Sequence, residues 1–154
     1  MSDEPIEFTV FGLPQPAGSK RAFVQGNRAI VVDDNAKSRP WKQEVTSTAK
    51  EVVGDTIPFP EGPVVLRMRF TMPRPKGHYG SGKNAGVLKD SAPHFHTSRP
   101  DALKLGRGTE DALTGILYRD DAQTQVIAWK VYGDIPCVWI RAERPPFATE
   151  QSFY

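Results

Sequence analysis

Hydrophobic residues alternate with polar ones over several short stretches of the chain, which is the pattern of β-strands with one buried face. In the clearest stretch every second position is apolar: Val64, Leu66, Met68, Phe70 and Met72. The same pattern predicts strands at residues 6–11, 21–25, 28–32, 64–72, about 124–132 and 136–143.

Two segments have helical spacing instead. Residues 38–53 place apolar side chains on one helix face, with Ser38 as a cap and Pro40 in the first turn. Residues 101–114 predict a second helix. The element order, three strands, helix, strand, long loop, helix and two strands, indicates an α+β fold with two helices packed on a mostly antiparallel sheet. The break at residues 134–136 predicts that the last two strands form an antiparallel pair.

Gly106 and Gly108 are unusual residues for the interior of the second helix. Each glycine costs roughly 1 kcal/mol relative to alanine in such a position. The glycines either allow DNA or a partner subunit to approach the helix closely, or are ordinary imperfections of the helix. The sequence leaves both interpretations open.

The chain has 154 residues, of which 38% are hydrophobic, and this is enough for one domain with a core. We expect a single domain over residues 1–144 and a flexible tail over residues 145–154. No apolar run approaches the roughly 20 residues that span a bilayer, and the N-terminus lacks the features of a secretory signal. A cytoplasmic protein is therefore expected, with its single cysteine, Cys137, in the core.

The net charge is +2, and basic residues concentrate in residues 13–42 and 73–100. The aperiodic stretch 73–98 predicts a mobile basic loop. Basic segments on both sides of an acidic site favour a polyanionic partner, whereas either segment alone fits a solvated loop. His94 and His96 either bind a metal or are polar loop residues, and the second interpretation is preferred because no further His or Cys completes a ligand set.

The acidic residues between positions 101 and 121 are the strongest chemical signal. Five acidic and three basic residues make this segment net −2 within a basic chain: the acidic ones are Asp101, Glu110, Asp111, Asp120 and Asp121. Taken singly, these carboxylates fit a helix cap and a turn. Together they can hold a divalent cation while nearby Lys and Arg hold phosphates. This combination predicts a magnesium-dependent enzyme that acts on nucleic acid.

The motifs around these residues resemble those of a known family. Similarity to RusA-type Holliday junction resolvases, which are common in bacteriophages and prophages, lies in Pro100-Asp101, Asp111-Ala-Leu-Thr114 and Leu117-Tyr-Arg-Asp-Asp-Ala-Gln123. The early segment Gly12–Lys20 also resembles phage members, and the element order matches over about residues 5–143. The resemblance implies a homodimeric, Mg²⁺-dependent endonuclease, with Mn²⁺ as a substitute, that nicks four-way DNA junctions symmetrically in a bacterial host cell.

The resemblance assigns roles to individual residues unevenly. Asp101 and Asp121 match catalytic carboxylates of the family, and Asp120 is the neighbour of the second. The family's catalytic lysine position falls on Arg107, whose planar guanidinium would hold a phosphate rather than transfer a proton. Leu103 stands where the family has a further Asp, so one expected metal ligand is missing.

Glu110 is a candidate for that missing ligand, because positions 103, 107 and 110 lie on one face of a helix. The alternative is that Glu110 is a surface residue paired with Arg107. Asp111 is expected to be structural, since it lies roughly 100° around the helix from Glu110. The expected metal ligands are therefore Asp101, Glu110, Asp120 and Asp121, and the expected catalytic residues are Asp101, Arg107, Glu110 and Asp121.

Basic residues around this site are expected to contact the DNA backbone. They are Lys20, Arg21, Arg74, Lys76, Lys83, Lys89, Arg99 and Lys104. The leading hypothesis is a metal-dependent endonuclease that resolves four-way junctions. The main alternative is a non-catalytic protein that binds branched DNA, its metal site impaired by Leu103. A third is an interaction module whose acidic cluster is a solvated turn.

Overall fold

Six strands and two α-helices make up the computed structural model, which describes residues 4–18, 20–33 and 35–146. They are β1 (Ile6–Phe11), β2 (Lys20–Gln25), β3 (Arg28–Asp33), α1 (Ser38–Val53), β4 (Val64–Pro73), α2 (Ala102–Leu113), β5 (Thr124–Gly133) and β6 (Cys137–Glu143). Each element lies within about a residue of the range that the hydrophobic pattern predicts, and the α+β fold is confirmed. Of the predicted tail, residues 147–154 lie outside the described residues.

The main sheet has four strands in the order β1-β6-β4-β5, and β2 and β3 form a separate hairpin. β6 is antiparallel to both β1 and β4, whereas β5 is parallel to β4. The prediction that β5 and β6 pair with each other is therefore wrong, because β4 lies between them.

The burial of β4 explains this order. Its inward side chains Val64, Leu66, Met68 and Phe70 are fully buried, so β4 occupies the centre of the sheet, where both of its edges are hydrogen-bonded. The chain passes through α2 between β4 and β5, and such a helical crossover returns the chain parallel to the strand that it left.

Both helices pack on one face of the main sheet. α1 contacts β1 and α2, and α2 contacts β4 and β5. The core between these layers includes Trp41 and Val45 of α1 and Leu105 and Leu113 of α2. Among the described residues, neither helix has the length and apolar composition needed to cross a bilayer.

The two glycines of α2 are explained by this packing. A Cβ at Gly106 would lie 3.4 Å from the Cβ of Ala128 on β5, and one at Gly108 would lie 3.2 Å from the backbone nitrogen of Ala17. Ala17 also donates a hydrogen bond to the carbonyl of Lys104 (3.0 Å). The glycines therefore let α2 lie close to the sheet and to the loop before β2.

The loop over residues 73–98 is fixed to the free edge of β5. The backbone nitrogen of Tyr132 donates to His94 O (2.9 Å), and that of His96 donates to Lys130 O (3.2 Å). The guanidinium of Arg74 donates to Pro93 O (2.8 Å) and lies over the ring of Tyr132. Backbone pairing with β5 thus holds residues 94–96 against the sheet, and the mobility of the loop stays a prediction.

Candidate metal centre

Three carboxylates meet at the C-terminal end of α2. Glu110 and Asp111 come from the helix, and Asp121 comes from the turn that leads into β5. One carboxylate oxygen of each lies within 4.8 Å of the others, and this is the group of potential metal ligands among the described residues. The grouping joins Glu110 to Asp121, as the sequence suggests, but the third member is Asp111. Asp111, expected to be structural because it lies roughly 100° around the helix from Glu110, thus places a carboxylate oxygen in this group.

Glu110 is the least exposed of the three carboxylates. Burial raises its pKa above the usual value, and the charges of Asp121 and Asp111 raise it further. A hydrogen bond from the Thr124 hydroxyl to Glu110 Oε2 (2.8 Å) acts in the opposite direction. The mutual repulsion of these carboxylates is the kind that a bound cation offsets.

Two hydroxyl groups fix Glu110 relative to the turn. Tyr118, which is fully buried, donates to the backbone carbonyl of Glu110 (2.8 Å). The Thr124 hydroxyl lies 2.8 Å from Glu110 Oε2 and 2.7 Å from the carbonyl of Asp121. Since a hydroxyl group carries one hydrogen, Thr124 donates to one of these acceptors at a time. It thereby links the end of α2 to the start of β5.

The Asp120–Gln123 turn places its two adjacent carboxylates differently. Asp120 Oδ1 accepts a hydrogen bond from the backbone of Ala122 (2.8 Å), and Gln123 Oε1 accepts from the backbone of Asp120 (3.1 Å). The Gln123 amide also donates to Phe59 O (3.0 Å) and Gly62 O (2.9 Å). Asp120 therefore shapes the turn and is not a member of the carboxylate group, whereas the side chain of Asp121 is.

Asp101 lies at the opposite end of α2. It is the N-cap of the helix, and its Oδ1 accepts from the backbone nitrogen of Lys104 (2.8 Å). Nine residues of helix separate it from Glu110, which corresponds to about 13 Å along the axis. The structure therefore does not bring Asp101 to the ion that Asp121 would bind, and the helix-cap interpretation accounts for its geometry.

Asp101 instead faces Lys130 of β5. Burial lowers the pKa of Lys130, and the charge of Asp101 opposes that shift. The Lys130 ammonium donates to Ser98 O (2.7 Å) and Pro100 O (2.8 Å), which ties the start of α2 to the sheet. A cavity of about 830 Å³ lies here, and its lining includes Arg99, Asp101, Lys104 and Lys130.

The helix face that carries Leu103 and Arg107 is open to solvent. Leu103 is 82% exposed, and Arg107 is also exposed, one turn before the carboxylates. Within the described residues Arg107 forms no salt bridge with Glu110. The predicted common face for positions 103, 107 and 110 is present, and the alternative of a Glu110–Arg107 pair is not.

The other predicted DNA contacts differ in their availability. Arg74 makes contacts within its own loop, to Pro93 O and His78 Nδ1, so its side chain helps to hold that loop. Exposed side chains in the same region belong to Lys76, Lys83, Lys89 and Arg99, and Lys104 is exposed on α2. Lys20 and Arg21 are part of β2, and their side chains lie outside the described part of the structure.

The histidines of the loop are not grouped with other ligands. His96 packs against the ring of Tyr132, with the ring centroids 4.9 Å apart, and its Nδ1 is buried without a partner among the described residues. The exposed ring of His94 contacts Phe95. Neither belongs to a group of three potential metal ligands in the part of the chain that is described, and their interpretation as polar loop residues stays a prediction.

Sequence reasoning missed several residues of the centre. Lys42 of α1 lies 3.6 Å from Asp111, and Thr124 bridges Glu110 to the turn. The adjacency of Glu110 and Asp111 was the available signal for Asp111, because two acidic neighbours at a helix end can both reach a chain segment that crosses that end. No spacing in the sequence identifies Lys42, which approaches from a separate helix.

Two comparisons with known proteins bear on this centre. The family model for the endodeoxyribonuclease RusA matches residues 14–143. The chain is also 32% identical over 139 residues to YqaN of Bacillus subtilis (strain 168), a protein described as uncharacterized. That alignment covers 86% of this chain and 92% of YqaN. All three carboxylates of the centre lie within the segment that the family model matches.

Proposed function

The chain belongs to the RusA endodeoxyribonuclease family, and we propose that it is a metal-dependent endonuclease that resolves four-way DNA junctions. The observation that carries this proposal is the group of three carboxylates, Glu110, Asp111 and Asp121. A group of like charges is costly to assemble unless a cation or a proton neutralises part of it. Its position inside the matched segment connects it with the activity of the family.

The donor set fits a hard divalent cation, either Mg²⁺ or Mn²⁺, because carboxylate oxygens are ligands that these ions prefer. Bound there, such an ion would activate water and offset the negative charge that builds on the phosphodiester oxygens during hydrolysis. Glu110, Asp111 and Asp121 would hold it. The negative end of the α2 dipole, at the same place, adds to the attraction for a cation.

Arg107 supplies the second part of the proposed site. It lies one helical turn before the carboxylates, and its exposed guanidinium has no salt-bridge partner among the described residues. A guanidinium can donate two parallel hydrogen bonds to a phosphate and does not lose its proton near neutral pH. Arg107 would therefore orient the scissile phosphate and stabilise its charge without acting as a proton donor.

Resolution of a junction needs two nicks, and a homodimer would contribute one site from each copy. The exposed lysines of the 73–98 loop, together with Arg99 and Lys104 and with Lys20 and Arg21 on β2, would contact the DNA backbone. Such contacts position DNA without reading its sequence. Preference for a junction would then come from DNA shape and from the spacing of two sites.

Cleavage of a synthetic four-way junction tests this function, with a linear duplex of the same sequence for comparison. We expect paired, symmetric nicks in the junction with Mg²⁺, none with a chelator, and much slower cutting of the duplex. Asp121→Asn should lower the cleavage rate by about 100-fold or more, because one charged ligand is lost. Asp55→Asn, an exposed carboxylate beyond the end of α1, is the matched control and should cut at the normal rate.

Junction binding without nicking, at every Mg²⁺ and Mn²⁺ concentration tried, would contradict this proposal. That result would favour the non-catalytic junction-binding protein. Absence of junction binding would contradict both hypotheses. It would favour the third one, an interaction module whose acidic cluster is a solvated turn. Salt dependence separates these cases, since contacts with phosphates weaken steeply as salt is added.

A further inference from the structure

The charges of α1 are segregated around the helix. At 100° per residue, Arg39, Lys42 and Lys50 fall within an arc of about 80°. The acidic residues Glu44 and Glu51 lie about 120–140° away from Arg39 on the same projection. The buried residues of α1, such as Trp41 and Val45, face the core on another side. The basic and acidic side chains of α1 therefore lie on different parts of its surface.

The basic arc of α1 borders a surface groove. The groove has a volume of about 290 Å³ and is lined by Arg39, Lys42, Gln43, Thr46, Ser47 and Lys50. Arg39 and Lys50 are exposed and form no salt bridge within the described ranges. The lining thus combines three cations with amide and hydroxyl groups, and these are the side chains that contact phosphate and sugar oxygens in DNA complexes.

The groove runs beside the carboxylate group of the candidate metal centre. The ammonium of Lys42 lies 3.6 Å from a carboxylate oxygen of Asp111. The Thr46 hydroxyl donates to the carbonyl of Ala112 at the end of α2 (2.7 Å). These two contacts join the groove to the end of α2 that carries Glu110 and Asp111, so a strand lying in the groove would be led to the centre.

We propose that this groove on α1 is a binding track for the phosphate backbone of one DNA arm next to the cleaved position. The proposal rests on the function proposed above and names a contact surface for that same site. Arg39 and Lys50 are eleven residues apart, about 16 Å along the helix. This length allows contact with several successive phosphates of one strand. Lys42, at its inner side, would contact the phosphate nearest the carboxylates.

The test removes two charges from the track and measures binding of a fluorescent four-way junction in a chelator over a range of salt concentrations. Arg39→Gln/Lys50→Gln should bind roughly tenfold more weakly per lost contact at 0.1 M salt. The slope of log K against log salt should become shallower by about 0.9 per contact. The control variant, Arg69→Gln, removes one exposed charge from β4, outside both basic segments, and should keep nearly the normal slope.

Thermal unfolding of each variant checks that the fold is kept, since all three substituted side chains are exposed. Equal slopes for the track variant and the unmodified protein would overturn this inference, while junction cleavage by the unmodified protein would leave the proposed function standing. Equal losses in the track and control variants would also overturn it, because they would indicate a general effect of net charge. If the unmodified protein binds no junction, both proposals fail.

Discussion

Single side chains show most clearly how burial changes chemistry in this protein. His96 has a buried Nδ1 without a partner among the described residues, and its ring packs against Tyr132. Burial lowers the pKa of His96 below its usual value of 6.5, and the positive charge of Lys130 lowers it further. His96 is therefore held in its neutral form by the folded protein, which makes it part of the packing between the loop and β5.

This shift predicts a dependence of stability on pH. Between the folded pKa of His96 and 6.5 the unfolded chain binds more protons, so the free energy of unfolding should fall as the pH drops through this range. His96→Phe keeps an aromatic ring and should flatten that part of the profile. Urea unfolding at a series of pH values measures the effect. The control His94→Phe should follow the unmodified protein, and the same profile for both variants would contradict the prediction.

At the scale of elements, the turn before β5 decides where Asp121 points. Gln123 uses both ends of its amide, since its oxygen accepts from Arg119 N and Asp120 N while its nitrogen donates to Phe59 O and Gly62 O. The turn is thereby attached to the chain segment between α1 and β4. Within the motif Asp-Asp-Ala-Gln, the hydrogen bonds of Asp120 and Gln123 thus shape the turn that carries the metal-ligand candidate Asp121.

We predict that Gln123→Ala lowers the free energy of unfolding by about 2 kcal/mol, because it leaves backbone donors and acceptors without partners. Cleavage and Mg²⁺ affinity should fall as well, since Asp121 is no longer held in position. Denaturant unfolding and metal titration measure the two effects. Gln125→Ala, an exposed position on β5, is the matched control with little expected change. Equal stability of the two variants would show that the hydrogen bonds of Gln123 do not hold the turn.

On the scale of the whole molecule, the carboxylate group joins two elements that follow one another in the chain. α2 supplies Glu110 and Asp111, and the entry to β5 supplies Asp121. A cation held by all three would bind the folded chain and not the unfolded one. By linkage, such binding must stabilise the fold.

Mg²⁺ should therefore raise the free energy of unfolding, by about 2.7 kcal/mol at a concentration 100 times its dissociation constant. Thermal unfolding with and without Mg²⁺ measures this gain. Asp111→Asn should lose most of it, whereas Asp101→Asn should keep it, because Asn is an equally good helix cap. The opposite result would support the ligand set that the family resemblance implies, with Asp101 in place of Asp111.

The elements of the fold could be predicted because local patterns encode them. Alternation marked β4, and helical spacing marked α1 and α2, within a residue of their observed ends. The order of strands in the sheet could not be predicted in this way, since it depends on which strand is buried at the centre of the sheet, and this is decided by the packing of the whole domain. For that reason β5 pairs with the buried strand β4 and not with β6.

The sequence by itself determined the α+β class, the two helices and the acidic character of the segment that ends in Asp121. These follow from periodicity and composition, which are local properties of the chain. Only the tertiary structure decided which carboxylates meet. The separation of Asp101 and Glu110, about 13 Å along the axis of α2, follows already from the predicted helix. The tertiary structure brought Asp111 to Asp121, because the turn before β5 crosses the end of that helix.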